Sequence, residues 1–84
     1  MSQWTESVIK IQDFGLDGYI NYKIMVQNKN GIYFFVWYPD SLDSEIGDVL
    51  IVTFSDFGSD IYWEVITNPK NGRESKIAKI LQVN

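Results

Sequence analysis

The sequence contains no cysteine and no histidine. Without cysteine there is no disulfide staple and no thiolate nucleophile. Without histidine as well, tetrahedral zinc sites, Ser-His-Asp triads and Cys-His pairs are excluded, because each needs an imidazole or a thiolate. The catalytic menu shrinks to carboxylates, Lys and Tyr, and no catalytic residue, metal site or cofactor is expected. Long hydrophobic runs are also missing. The longest, Ile32 to Tyr38, falls far short of the roughly 18 residues of a membrane-spanning helix. The opening Met1-Ser2-Gln3-Trp4-Thr5-Glu6 lacks the basic and apolar regions of a signal peptide, so a cytoplasmic protein with no membrane role is expected.

What is present is 84 residues, 45% hydrophobic and 15% aromatic, which describes one small domain spanning 1–84. A chain of this size buries only about 60% of the surface its unfolded form exposes, which leaves little for a deep catalytic cleft. A non-catalytic role follows as the expectation.

Period-two alternation, β-branched and aromatic residues, and Gly/Asn/Asp punctuation run along almost the whole length and predict strands. Six are expected: Glu6 to Phe14, Tyr19 to Asn28, Ile32 to Tyr38, Asp48 to Ser55, Ile61 to Thr67, and Ser75 to Val83. Gly15 to Gly18, Asn28 to Gly31 and Asn68 to Gly72 are read as turns, since Asn and Gly tolerate positive φ. Pro39 stops the third strand, and Asp40 to Gly47 has room for one capped helical turn. The last segment fits a strand or a short helix; Asn71-Gly72, a hairpin signal, favours strand.

In the second strand Ile20, Tyr22, Ile24 and Val26 share one face and are assigned to the core. With an odd-length, bulged hairpin loop, the third strand adds Ile32, Phe34, Val36 and Tyr38 to that core. It then turns Tyr33, Phe35 and Trp37 outward, across from Met25, Lys23 and Asn21. Three aromatics at alternate positions opposite a polar strand are the most informative feature of the chain. Either the C-terminal segment, Trp4 or cross-strand pairing accounts for them, or they form a platform on which a base, a sugar or a partner's side chain rests. Stacking is worth ~1–3 kcal/mol per base in single-strand binders, so three rings suffice for much of an affinity.

The element order, with Gly31-Ile32-Tyr33-Phe34-Phe35-Val36-Trp37, then Leu42, then Ile46-Gly47-Asp48-Val49, resembles the oligonucleotide/oligosaccharide-binding (OB) fold over about residues 6 to 67. The resemblance implies an all-β, five- to six-stranded OB-like barrel; an SH3-like barrel is the alternative. It also implies a ligand face on the second and third strands, made here of Tyr19, Asn21, Lys23, Tyr33, Phe35 and Trp37. Flanking loops after the first and fourth strands would then bring two Asp-Phe-Gly-x-Asp segments to one acidic rim: Asp13 and Asp17 from the first, Asp56 and Asp60 from the second.

Charge is distributed unevenly. Residues 1–39 carry three bases and three acids, residues 40–64 seven acids and no base, and residues 65–84 four bases and one acid. Phosphate binding needs Lys and Arg to replace counterions. The expected face offers Lys23 alone, and Lys70, Arg73, Lys76 and Lys79 are the remaining phosphate-contact candidates. The four aspartates do not fit the calcium loop of EF-hands, and Asp beside Gly is ordinarily a turn former. The favoured expectation is a binding or adaptor module for a protein partner or a second copy of itself, with the aromatic face at the centre and acidic loops around it. The alternative is a single-stranded nucleic-acid binder stacking bases on the same rings.

Overall fold

A computed structural model describes residues 2–83. Seven antiparallel strands form one sheet: β1 (Ser2–Asp17), β2 (Asn21–Asn28), β3 (Tyr33–Tyr38), β4 (Val49–Phe57), β5 (Asp60–Asn68), β6 (Arg73–Lys76) and β7 (Lys79–Val83), in the order β6-β5-β4-β1-β2-β3-β7. The all-β expectation holds, but the closed barrel of five or six strands does not. The sheet is an open, curled half-barrel.

The curl begins in β1. Its first half, Ser2 to Ile9, pairs with β4, and Val8 to Asp17 pairs with β2. Two irregularities, between Lys10 and Gln12 and between Asp13 and Leu16, break the β1–β2 register. Bulges bend a strand and increase its twist, so one long strand serves both halves of the sheet. A further register shift at Thr53/Phe54 bends the β4–β5 ribbon.

The C-terminal segment completes the curl. Its single expected strand is two, β6 on β5 and β7 on β3, at opposite edges of the sheet. Only Ile77 and Ala78 join them, so the two edges must meet at this link. The Ile77 N–H donates to the Glu64 carbonyl at 3.0 Å, and the Ala78 N–H donates to the Trp37 carbonyl at 2.8 Å. Beside the link the edges part around a cleft of about 260 Å³ lined by Ile61, Tyr62, Trp63, Lys79 and Ile80. That gap is why the barrel stays open.

Curling buries the concave face. Val8, Ile24, Val26, Val36, Leu50, Val52, Phe54 and Ile66 are buried there, with Trp4, Tyr22, Phe34, Trp63, Ile77 and Ile80 packed against them. The alternation read for β2 and β3 is correct at Tyr22, Ile24, Val26, Phe34, Val36 and Tyr38. Ile20 and Ile32, assigned to the core, are exposed instead. Ile20 lies in the β1–β2 turn, because β1 continues to Asp17, and Ile32 lies at the loop end of the β2–β3 hairpin, just before β3, where its carbonyl accepts from the Asn28 N–H. There the Asn28 carboxamide oxygen accepts from the N–H groups of Asn30 and Ile32, and Gly31 takes φ 82°. Only glycine enters that left-handed region without steric cost.

Residues 39–48 form no helix, contrary to the expected turn of one. Asp43 adopts a left-handed φ of 49°. The loop is held from outside: Lys10, 2% exposed, donates from its ammonium to Asp13 Oδ2 at 2.7 Å, the Ser44 carbonyl at 2.8 Å and Ser44 Oγ at 2.9 Å. Three acceptors match the three hydrogens of an ammonium. Leu42 then plugs one end of the core, its carbonyl accepting from the side-chain amides of Asn68 and Asn71.

Candidate binding face

The convex side of β2 and β3 carries the expected aromatics. Lys23 lies opposite Trp37, Met25 opposite Phe35 and Gln27 opposite Tyr33. The face is as read from the sequence, but the pairing is displaced by two residues, because the hairpin loop is only Lys29-Asn30-Gly31. A two-residue displacement preserves the face, whereas a one-residue slip would invert it.

On the other side of β3, β7 sets Lys79 beside Trp37, Leu81 beside Phe35 and Val83 beside Tyr33. The C-terminal segment thus extends the face sideways and does not lie over it. Trp4 sits on the concave side. The convex side of this region has no second layer, since all the strands among the described residues belong to the same sheet.

The face is organised around one cation. Lys23 Nζ lies 4.4 Å from the Phe35 ring centre, 4.9 Å from Phe14 and 5.2 Å from Trp37, while Lys79 Nζ lies 4.8 Å from Trp37. Such contacts are worth about 0.5–1 kcal/mol at exposed sites. Phe14 meets Phe35 edge-on at 5.7 Å, and Phe35 meets Trp37 at 6.1 Å. The Trp37 indole N–H donates to Asp17 Oδ2 at 2.6 Å. Phe35 and Trp37 are consequently half-buried, whereas Phe14 and Leu81 are 43% and 52% exposed.

Lys23, Tyr33, Phe35, Trp37, Asp17 and Lys79 are brought together, with Asn21 paired to Asp17 at the margin. Tyr19 stands fully exposed in the β1–β2 turn. The four aspartates do not share a rim. Asp13 and Asp17 lie at the C-terminal end of β1, whereas Asp56 pairs with Ser2 at its N-terminal end, with Asp60 across the same hairpin. The two similar segments are thus separated by the length of one strand.

The four basic candidates form no track either. Lys79 alone reaches the aromatic face; Lys70 pairs with Asp48 at 3.2 Å, and Arg73 and Lys76 belong to β6 at the opposite edge.

Asp13, its side chain 44% exposed, caps the buried ammonium of Lys10. The Lys10 hydrogen bond holds its carboxyl below the usual carboxylate range against the opposing effect of burial, helped by the Gly15 N–H. Asp48 is likewise lowered, first by the Glu45 N–H and then by Lys70. Burial pushes the Tyr38 phenol up to about 12, with the Asp13 and Tyr22 charges acting in the same direction. Among the described residues no three carboxylates converge as a metal site would require.

Two features escaped the sequence reading. Phe14 and Leu81 join the face because their strands flank β2 and β3; the period-two alternation on their own strands was the available signal. The second feature is concave: a cavity of about 210 Å³ lined in part by Trp4, Glu6, Phe34, Phe54 and Trp63. Its sequence trace is the alternation Trp4-x-Glu6-x-Val8. No family model, curated protein or solved structure matches the chain.

Proposed function

We propose that the chain is a non-catalytic binding module that engages a protein partner, a second copy of itself included, through the convex face of β2, β3 and β7. The observation that carries this is the uncovered surface of Phe14, Tyr33, Phe35, Trp37 and Leu81 around Lys23. Contiguous aromatic and aliphatic surface is typical of a protein interface; here Asp17 and Lys79 lie at its margin and Lys23 among its rings. The acidic margin is Asp17, not the four-residue rim, so a partner meets a face on which Lys23 and Lys79 outnumber it.

That same correction favours a second reading. With Asp56 and Asp60 removed from the face, Lys23 and Lys79 among aromatic rings also suit a single-stranded nucleic acid, the ligand class implied by the OB resemblance. The supports for that kinship are the β1–β2–β3 meander and the outward aromatics of β3. Against it, Lys23 lies over the rings on which bases would stack, which keeps the protein partner first.

A labelled single-stranded oligonucleotide titrated at low and moderate salt, with Trp fluorescence as readout, separates the two. The protein-partner reading expects no binding even at low salt; tight binding that falls steeply with salt overturns it. Sedimentation across a concentration series tests the self-association version. Phe14→Glu should shift any dimer toward monomer without lowering the melting temperature.

A further inference from the structure

We infer that the concave cavity at the β1–β4–β5 end is a site for a small quaternary ammonium group. It lies on the opposite side of the sheet from the face proposed above and stands independently of it. Its walls are rings, one pair nearly parallel and two pairs steeply inclined. Trp4 stacks on Phe54 with centroids 5.5 Å apart and planes 13° apart. Trp63 meets Phe54 at 4.8 Å and 68°, and Phe34 at 4.8 Å and 55°. Rings turned in several directions around one concavity present faces and edges together, and the negative ring faces attract cations.

The charge on the wall has the matching sign. Glu6 is half-buried and lines the cavity, and among the described residues no Lys or Arg does. Glu6 Oε2 accepts the Trp4 indole N–H at 3.1 Å, which fixes the carboxylate against the ring wall. Among the described residues the other side-chain acceptor at the cavity is Asn28, whose oxygen is taken by its own turn.

This donor and acceptor inventory decides among cations. A primary ammonium entering here would leave water and bring three N–H groups to a wall on which, among the described residues, the Glu6 carboxylate is the one side-chain acceptor not taken by its own turn. A trimethylammonium group has no N–H to satisfy, carries its charge on methyl surface and needs only aromatic contact and a nearby anion. At about 210 Å³ the cavity is below the roughly 300–1,000 Å³ of sites for drug-sized ligands, so it suits a head group of this size. Two sources present this chemistry, a free amine such as choline and a trimethylated lysine of a protein.

The test is a titration of the intact chain followed by the indole N–H resonances of its tryptophans. Choline should shift those of Trp4 and Trp63 saturably and leave Trp37, on the convex face, in place. Its uncharged isostere 3,3-dimethylbutan-1-ol should bind roughly tenfold or more weakly, the ratio that a desolvated cation–π contact supports. Glu6→Gln keeps an acceptor for Trp4 but removes the charge, and should weaken choline several-fold. Ile61→Trp, at an exposed position on the cavity wall, should abolish binding in a protein that melts like the parent. A trimethyllysine peptide competing with choline more tightly than choline itself identifies a protein as the source, and the reverse order a free amine. The inference is overturned if the neutral alcohol binds as well as choline, if Glu6→Gln binds choline unchanged, or if choline leaves Trp4 and Trp63 unmoved.

Discussion

The indole of Trp37 and the carboxylate of Asp17 share a hydrogen bond of 2.6 Å that ties β3 to the last residue of β1 across the convex face. Because the pair is exposed, its net worth is that of an ordinary hydrogen bond, about 0.5–1.5 kcal/mol. A double-mutant cycle with Asp17→Ala and Trp37→Phe, read by urea unfolding, should return a coupling in that range. A coupling near zero would show that the bond does not hold the ring. Trp37→Ala should leave a folded domain, whereas complete unfolding would place Trp37 in the core.

The neighbouring side of the same strands predicts the opposite. Ile24 is fully buried and faces Val36. Ile24→Ala should cost about 2–5 kcal/mol, because it removes buried methyl groups and leaves a cavity. In a domain of this size each kcal/mol lowers the melting temperature by about 4–8 °C. Met25→Ala, one residue along on the convex face, should cost clearly less. Thermal melts of the two variants side by side test the face assignment.

These two strands were legible because their alternation is strict and their hairpin signal, Asn28 to Gly31, is strong. Once Ile24 is inward, Lys23 and Met25 must be outward, and register errors of two residues do no harm. Other features had no local signature. The division of the last segment between β6 and β7 depends on a sheet curled enough for its edges to meet at Ile77-Ala78, which is a property of the whole chain. A bulge of β1 brings Asp13 to the side of Lys10, and the antiparallel pairing of β1 with β4 sets the two Asp-Phe-Gly-x-Asp segments at opposite ends of one strand. A reading by loops alone places them together. Buried Lys10 likewise looks like an ordinary surface base in sequence, since two of its three acceptors come from Ser44, far along the chain.

Acid should loosen the domain through Asp13. Its carboxyl titrates lower in the folded protein than in the unfolded chain, where about 3.9 is usual, so the unfolded state takes up a proton first as pH falls. The stabilisation is therefore complete above the unfolded value and is lost as pH drops through the folded one. Asp48 contributes with the same sign. Urea unfolding between neutral pH and strongly acidic pH should show stability declining over that window, with a shallower decline in Asp13→Asn. An unchanged slope in that variant would remove Asp13 from the account. Lys10→Ala should be destabilising at neutral pH, because it strands the Ser44 carbonyl and hydroxyl and opens a gap under the 39–48 loop.

The alkaline limit belongs to Tyr38, 3% exposed, whose phenol is pushed up to about 12 by burial, by the Asp13 carboxylate and by Tyr22. Here the neutral form is the one the fold prefers. The unfolded tyrosine ionises near 10, so between that value and about 12 the unfolded state binds fewer protons and stability falls as pH rises. Stability below pH 10 is unaffected by this group. Ultraviolet titration of tyrosinate should contain one late component, reversible until the domain unfolds and missing in Tyr38→Phe. Asp13→Asn should bring that component to lower pH, since it removes a negative charge that opposes phenolate formation. If the late component survives Tyr38→Phe, a different tyrosine carries it and the burial of Tyr38 is not what sets the alkaline edge.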